Sequence, residues 1–311
     1  MTISRLPRRA FLAATAGSLT VASGALAAPL QRFARPSLGF SLYGMKTLAL
    51  DVALRTCAEV GYSHVEFSLN AGYVTEPSAF TPDSRRSAAI QLQNLKLALP
   101  CLMVLMSLKT DDPTHTKNLE LIHTAASLGR ELVPDQPPIL ETVLGGNPAL
   151  WQDQKAEMAS RLHDWAAAAE KAGTVIALKA HVGSAVNSPE RLLWLLDQVK
   201  SPSLDVAYDF SHFQLQGIDM AESMKLLLPR TRFIHVKDSE GDVTKFRFLL
   251  PGAGRTDYVQ YFTLLKEHGY AGPVCVEVSG QVSSAQNYDP VAAARQCHVA
   301  LSKAMSQVFA G

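Results

Sequence analysis

Cysteine is scarce in this chain of 311 residues: Cys57, Cys101, Cys275 and Cys297 stand far apart, and no two have the C-x-x-C spacing. That excludes zinc ribbons, thioredoxin-type redox motifs and small disulfide-framed domains. Buried thiols are the expected state, with a Cys275–Cys297 pair open in an oxidising compartment. An excess of either charge is missing too, since 29 basic residues face 28 acidic ones. Without Arg5, Arg8 and Arg9 near the N-terminus, 26 basic residues remain against the same 28 acids. A nearly neutral chain lacks the basic footprint of a nucleic-acid binder. No stretch after the N-terminal region approaches the ~20 apolar residues of a membrane-spanning helix. What is present is 47% hydrophobic and 18% charged residues, enough for one large core and unlike a disordered chain.

Residues 1–28 read apart from the rest. Arg8-Arg9-Ala10-Phe11-Leu12 precedes an uncharged run of small and apolar residues that ends at Ala25-Leu26-Ala27-Ala28-Pro29. This is the layout of an export signal, and its paired arginines resemble the twin-arginine type. The expectation is an exported, periplasmic protein cut near Ala27 or Ala28, with residues 29–311 forming one domain. A mobile N-terminal arm or a retained membrane anchor is the other reading of the same residues.

From Ser37 onward, short runs rich in β-branched and aromatic residues alternate with longer segments of helical periodicity, as in repeated βα units around a parallel sheet. Eight units are expected, with strands at 38–42, 63–68, 97–105, 131–133, 175–179, 205–209, 232–236 and 274–278. The clearest helix spans 152–172, where Leu162, Trp165, Ala166, Ala169 and Ala172 share a face and Gly173 follows as a stop. Ser188-Pro189 and Asp289-Pro290 are helix starts, each a capping side chain followed by proline. The proline-rich stretch 134–148 is read as a long loop over the mouth of the barrel. The fold expected is a single (β/α)8 TIM barrel.

Polar residues stand where the apolar strands finish: Glu66, Lys179 with His181, Asp209 with His212, His235 with Lys237, and Glu277. In such a barrel these ends converge on one cavity, where chemistry is carried out. Any one of them alone could be a cap or a surface charge. Lys179, Asp209, His235 and Glu277, placed alike on the last four strands, point to a site.

The chain resembles the xylose isomerase-like barrels, which include sugar isomerases, ketose epimerases, inosose dehydratases and apurinic endonucleases. The resemblance rests on Val175-Ile176-Ala177-Leu178-Lys179-Ala180-His181, Tyr208-Asp209-Phe210-Ser211-His212-Phe213, Phe233-Ile234-His235-Val236-Lys237-Asp238, Leu250-Pro251-Gly252-Ala253-Gly254 and Val276-Glu277-Val278-Ser279-Gly280. It implies a divalent metal, manganese or zinc foremost with magnesium or cobalt also open, held by Asp209, His235 and Glu277. It also implies proton exchange between glutamates and a sugar. The first ligand departs from the pattern: where the family has Glu-x-His, this chain has Lys179-Ala180-His181, and an ammonium offers no lone pair to a metal.

Two readings follow. Either Asp209, His235 and Glu277 keep a metal and Lys179 acts on the substrate, or Lys179 replaces the metal charge and the site is metal-free. In the second, a neighbouring cation would lower the Lys179 pKa towards a neutral amine able to act as a base or form a Schiff base.

Glu277 and Lys179 are thus the expected catalytic groups, and Glu66, His181, His212 and Lys237 the expected substrate contacts. Glu141, in the proline-rich segment, reads equally well as a solvated loop charge. Removing a proton from carbon beside a carbonyl leads to isomerisation or epimerisation if the proton returns elsewhere, and to dehydration if a β-hydroxyl leaves. A barrel that binds sugar without catalysis is the alternative, and cleavage of abasic DNA is disfavoured by the charge. The expected partner is a small sugar, and self-association into a homo-oligomer is open.

Overall fold

The structure is a computed structural model and describes residues 35–309. The expected signal at 1–28 lies outside the described residues. Among the described residues no helix is long and apolar enough to cross a membrane.

Eight parallel strands close into a barrel. They are β1 (Ser37–Ser41), β2 (His64–Ser68), β3 (Ala98–Met103), β4 (Ile139–Val143), β5 (Ile176–Lys179), β6 (Leu204–Tyr208), β7 (Thr231–Val236) and, last in the chain, β10 (Pro273–Val276), which pairs with β1 to close the ring. Between β7 and β10 an antiparallel hairpin forms from β8 (Asp238–Asp242) and β9 (Lys245–Leu249). The helices on the outside are α1 (Leu50–Val60), α2 (Pro82–Asn94), α3 (Asp112–Leu132), α4 (Trp151–Ala172), α5 (Pro189–Val199), α7 (Met220–Leu227), α8 (Tyr258–Glu267) and α10 (Pro290–Phe309). Two short helices, α6 (Phe210–Gln214) and α9 (Gly280–Ser283), lie just after β6 and β10. A single (β/α)8 barrel is therefore the fold.

Local chemistry explains most boundaries. In α4 the five residues expected on one face are all buried, and Gly173 ends the helix at φ 64°, a left-handed conformation that glycine adopts without strain. Ser188 Oγ accepts the Arg191 N–H at the start of α5. Asp289 Oδ1 accepts the Val291 and Ala292 N–H groups at the start of α10.

The fourth strand lies elsewhere than expected. Residues 131–132 end α3, a 21-residue helix capped by Asp111, and Leu128 and Leu132 continue its buried face. The strand is Ile139–Val143, inside the proline-rich stretch read as loop. Pro134, Pro137 and Pro138 precede it and Pro148 follows it; Pro138 packs where Gly129 of α3 has no Cβ, which would lie 2.8 Å from Pro138 Cγ. The strand itself pairs on both sides, Met103 with Glu141 and Val143 with Lys179.

Because side chains alternate along a strand, every second residue faces the barrel interior. At one level an apolar plug forms from Cys101, Phe233 and Cys275 with Ile139 against them, and the His64 ring fills the space above Gly39. Cys297 belongs instead to the core between barrel and helices. All four cysteines are free and buried, so the Cys275–Cys297 bridge is not formed: the two thiols lie on opposite sides of the barrel wall.

Candidate active site

Above the plug, the next residues along the same alternation are charged. Their order along each strand, Cys275 then Glu277, Phe233 then His235 then Lys237, Ala177 then Lys179, Ile139 then Glu141, and His64 then Glu66, stacks a polar layer on an apolar one.

Lys179 is at the centre. Its Nζ lies 2.9 Å from His235 Nδ1, 3.3 Å from both oxygens of Glu277 and 3.0 Å from Glu141 Oε1. The Glu141 contact has ion-pair distance without hydrogen-bond alignment, and both Glu141 oxygens lack a hydrogen-bond partner within the protein. Lys237, one residue beyond β7, is hydrogen-bonded to Asp209 Oδ2 and to Glu277 Oε2. Glu277 thus sits between two ammonium groups. His235 Nε2 is 2.9 Å from Glu66 Oε2, while its Nδ1 faces Lys179. With the Lys179 ammonium facing Nδ1, the His235 proton lies on Nε2 and is donated to Glu66; burial opposes a second proton, but Glu66 outweighs it and raises the pKa of the ring above its ordinary value.

The charges hold one another in place. Burial alone would push the Lys179 pKa down, but Glu141, Glu277, Asp209 and Glu66 outweigh it and raise it above the ordinary lysine value. The neutral amine and the Schiff base that it would permit are therefore corrected: the carboxylates around Lys179 outnumber the cations, and it stays an ammonium. Burial likewise opposes ionisation of Asp209 and Glu277. For Asp209 the effect of Lys237, His212 and Lys179 prevails, and for Glu277 that of Lys179 and Lys237, so both carboxyls are held well below the usual range. Glu141 goes the other way, raised by burial that Lys179 only partly offsets.

The rim is less charged. Asp209 caps α6, its Oδ1 accepting the Ser211 N–H at 3.1 Å and the Ser211 hydroxyl at 2.6 Å. That short helix carries His212, whose Nε2 is 3.4 Å from Asp209 Oδ2 and whose ring lies 4.2 Å, centroid to centroid, from that of His181. Phe248 of the hairpin packs edge-on to His212 and lies 5.1 Å from the Lys237 ammonium. On the opposite side Tyr43 stacks on Tyr73 with ring centroids 5.5 Å apart, and Tyr43 is close enough to Glu277 for that carboxylate to help burial raise its pKa. Asp238 shapes the loop after the hairpin by accepting the N–H groups of Gly252, Gly254 and Thr256. The glycine at 252 has φ 88°, as a tight turn there requires.

The sequence-predicted residues are thus brought together with one displacement and one omission. Lys179, Asp209, His235, Lys237 and Glu277 form a single network, and His181 and His212 lie at its edge. Glu66, expected to touch substrate, is fully covered behind His235 and supports that ring instead. Glu141, equally readable as a solvated charge, is buried beside Lys179. The signal that would have found it is the pattern of β2: His64-Val65-Glu66 and Ile139-Leu140-Glu141 each place an acid two residues after a plug residue.

Two buried imidazoles, His64 and His212, weaken the fold in acid and outnumber His235, whose raised pKa acts in the opposite sense. Burial lowers the pKa of His64 to about 3 and, with Lys237 adding to it, that of His212 to about 4. An unfolded chain protonates these rings near pH ~6.5 while the folded one resists, so their contribution to stability is lost as pH falls below that value. The ion-paired Glu277 and Asp209 add their own loss only below ~4.3. The melting temperature is expected to decline continuously from pH 7 to pH 5 in a calorimetric series. A flat profile down to pH 5 would show that the imidazoles are not protected from protons.

Asp209, His235 and Glu277 offer donor atoms that all lie within 4.8 Å of one another, a set that by itself suits a divalent ion. Every one of those donors, however, is engaged by an ammonium: Asp209 by Lys237, His235 Nδ1 by Lys179, and Glu277 by both. The residues present do not fit a metal in this arrangement. The grouping of Glu66, His235 and Cys275 fares no better, because Glu66 and His235 Nε2 are already hydrogen-bonded to each other.

Comparison with known proteins places this geometry. Inosose dehydratase from Bacillus thuringiensis (strain Al Hakam) is 21% identical over 233 residues, 67% of this chain and 77% of that protein. The crystal structure of IolI with a bound zinc atom superposes with a TM-score of 0.75 at 18% identity, covering 88% of this chain and all of that one. The 3-keto-D-glucoside 4-epimerase YcjR of E. coli gives a TM-score of 0.67 at 14% identity, covering 86% of this chain and all of that one. The xylose isomerase-like TIM barrel profile matches residues 54–297. A match that runs from the first outer helix into the last, through every barrel strand but β1, makes this chain a member of the xylose isomerase-like TIM barrel family.

Proposed function

We propose that this protein is a sugar-modifying enzyme that removes a proton from carbon beside a carbonyl of a polyhydroxylated ketone. The observation that carries this reading is the setting of Glu277. Its side chain is 12% exposed, whereas those of Lys179, Lys237, Glu141, Asp209 and Glu66 are at most 3% exposed. One carboxylate therefore reaches the mouth, with an ammonium on either side of it.

Each group has a definable part. Glu277 is the base. At rest its two lysines make it a weak one, but a ketone oxygen that accepts from Lys237 or Lys179 competes for the same protons. As negative charge grows on that oxygen, the ammonium turns towards it and Glu277 regains basicity. Lys237 and Lys179 thus stabilise the enolate, and the buried acids around Lys179 keep it charged. His181, partly exposed at the rim, and the Tyr43–Tyr73 pair are suited to hold sugar hydroxyls and ring faces. The relatives support this class of substrate, since inosose and 3-keto-glucoside are both polyhydroxylated ketones. An exported location, suggested by residues 1–28, favours a free sugar over a phosphorylated one.

Return of the proton to a different position or face gives isomerisation or epimerisation. A specific observation favours dehydration as the second reading: with one carboxylate at the mouth, the proton taken from carbon has a short path to a β-hydroxyl leaving on the same face. Incubation with a panel of keto sugars and cyclic keto polyols in D2O separates these outcomes by NMR. Deuterium at the carbon beside the carbonyl is the expected result, accompanied either by an epimer or isomer or by an unsaturated product that has lost water. Saturable binding of a keto sugar with no deuterium in it would instead identify a binding barrel without catalysis.

A further inference from the structure

The cluster asks what supplies its positive charge. Two carboxylates and an imidazole of metal-binding type converge, and two more acids, Glu66 and Glu141, stand behind them. Left alone, such a set would repel itself and would call for a divalent cation. The positions of the two lysines answer the question.

An ammonium has three N–H donors and no lone pair. Lys179 Nζ has acceptors from three separate strands' ends around it, Glu141 at 3.0 Å, His235 at 2.9 Å and Glu277 at 3.3 Å. Lys237 bridges the remaining pair, Asp209 and Glu277. Together the two side chains bring two positive charges to the donor atoms, the charge of one divalent ion. Both are almost wholly buried and rise from the barrel strands or their immediate ends, so neither is a loose surface lysine resting over the site.

We infer that the Lys179 and Lys237 ammonium groups form a built-in substitute for a divalent cation, so that the site excludes metal and any chemistry in it runs without one. The exclusion is geometric and electrostatic at once. A metal ion bound to Asp209, His235 and Glu277 would need lone pairs that already accept from ammonium groups, and would lie within a few ångströms of two like charges. This holds for whichever carbonyl compound the site takes, and it goes beyond the reading of the protein as a sugar-modifying enzyme.

Metal binding tests it without reference to turnover. Purified full-length wild type and Lys179→Glu are dialysed against chelator and titrated with Mn2+ followed by electron paramagnetic resonance, and with Zn2+ followed by calorimetry. The expected result is no stoichiometric ion in wild type, and about one ion per chain in Lys179→Glu, bound ~100-fold or more tightly than by wild type. One Mn2+ or Zn2+ per wild-type chain, lost in Asp209→Asn or His235→Gln, would overturn the inference. So would a folded double variant, Lys179→Glu with Lys237→Met, that gains no ion, since the two ammonium groups would then not occupy a cation's place. Circular dichroism checks the fold. If Lys179→Glu does not fold, the wild-type titration decides alone: no ion supports the inference and a stoichiometric ion refutes it.

Discussion

Glu277→Gln is expected to reduce deuterium exchange at the carbon beside a ketone by ~10²- to 10⁴-fold, the usual contribution of a positioned general base. The substitution preserves shape, and each lysine keeps a partner: Lys237 retains Asp209 and Lys179 retains Glu141 and His235. Stability should therefore change little, which separates a lost base from a lost fold. The variant should still bind keto sugar, because the ammonium groups that meet the carbonyl oxygen remain. Undiminished exchange would move the base to another residue, with His181 at the rim as the first to examine. Denaturation in urea, run beside the NMR assay, supplies the stability half of the comparison.

Lys179→Met is expected to have the largest effect on stability, a loss of ~3–5 kcal/mol, as when one partner of a buried ion pair is removed. The reason lies in Glu141 more than in Glu277. Glu277 keeps Lys237 and some access to water, whereas Glu141 loses its one adjacent cation while both of its oxygens already lack hydrogen-bond partners. Its only route to neutrality is to bind a proton, which burial already favours. A compensating change should then recover part of the loss, and Lys179→Met combined with Glu141→Leu is expected to be more stable than Lys179→Met alone. Additive losses in the double variant would mean that the two side chains do not interact as their 3.0 Å separation indicates.

Much of the barrel is legible in residue pattern because local rules and the overall fold agree. β1, β2, β3, β5, β6, β7 and β10 come within a few residues of the runs expected for them, and α4 presents the face that its alanines and Trp165 define. The fourth unit failed because two cues competed. Glu131-Leu132-Val133 looks like a strand end but continues the buried stripe of a long helix. Ile139–Val143 is flanked by Pro138 and Pro148, neither of which lies within its ladder. That one displacement hid Glu141, since an acid in a loop and an acid on an inward strand position have opposite environments. The β8–β9 hairpin was absent from the expected units for a similar reason, although Phe246-Arg247-Phe248 has the alternation of a strand.

The site was legible in membership and less so in geometry. Asp209, His235, Glu277, Lys179 and Lys237 all stand out as polar residues closing apolar runs. No pattern in the chain reveals that Lys237 reaches across to Asp209 and Glu277, or that Glu66 lies behind His235, because these are distances between strands remote in sequence. The state of Lys179 depended on the same unseen neighbours. One cation nearby would have made it a neutral amine, but four carboxylates make it an ammonium.

The most direct measurement is deuterium incorporation into keto sugars by full-length protein stripped with chelator, followed by NMR beside Glu277→Gln and beside protein supplied with Mn2+ or Zn2+. Incorporation at the carbon next to the carbonyl is expected in stripped wild type, unchanged by added metal and lost in Glu277→Gln. Incorporation that appears only after metal is added, or that survives in Glu277→Gln, would contradict that expectation.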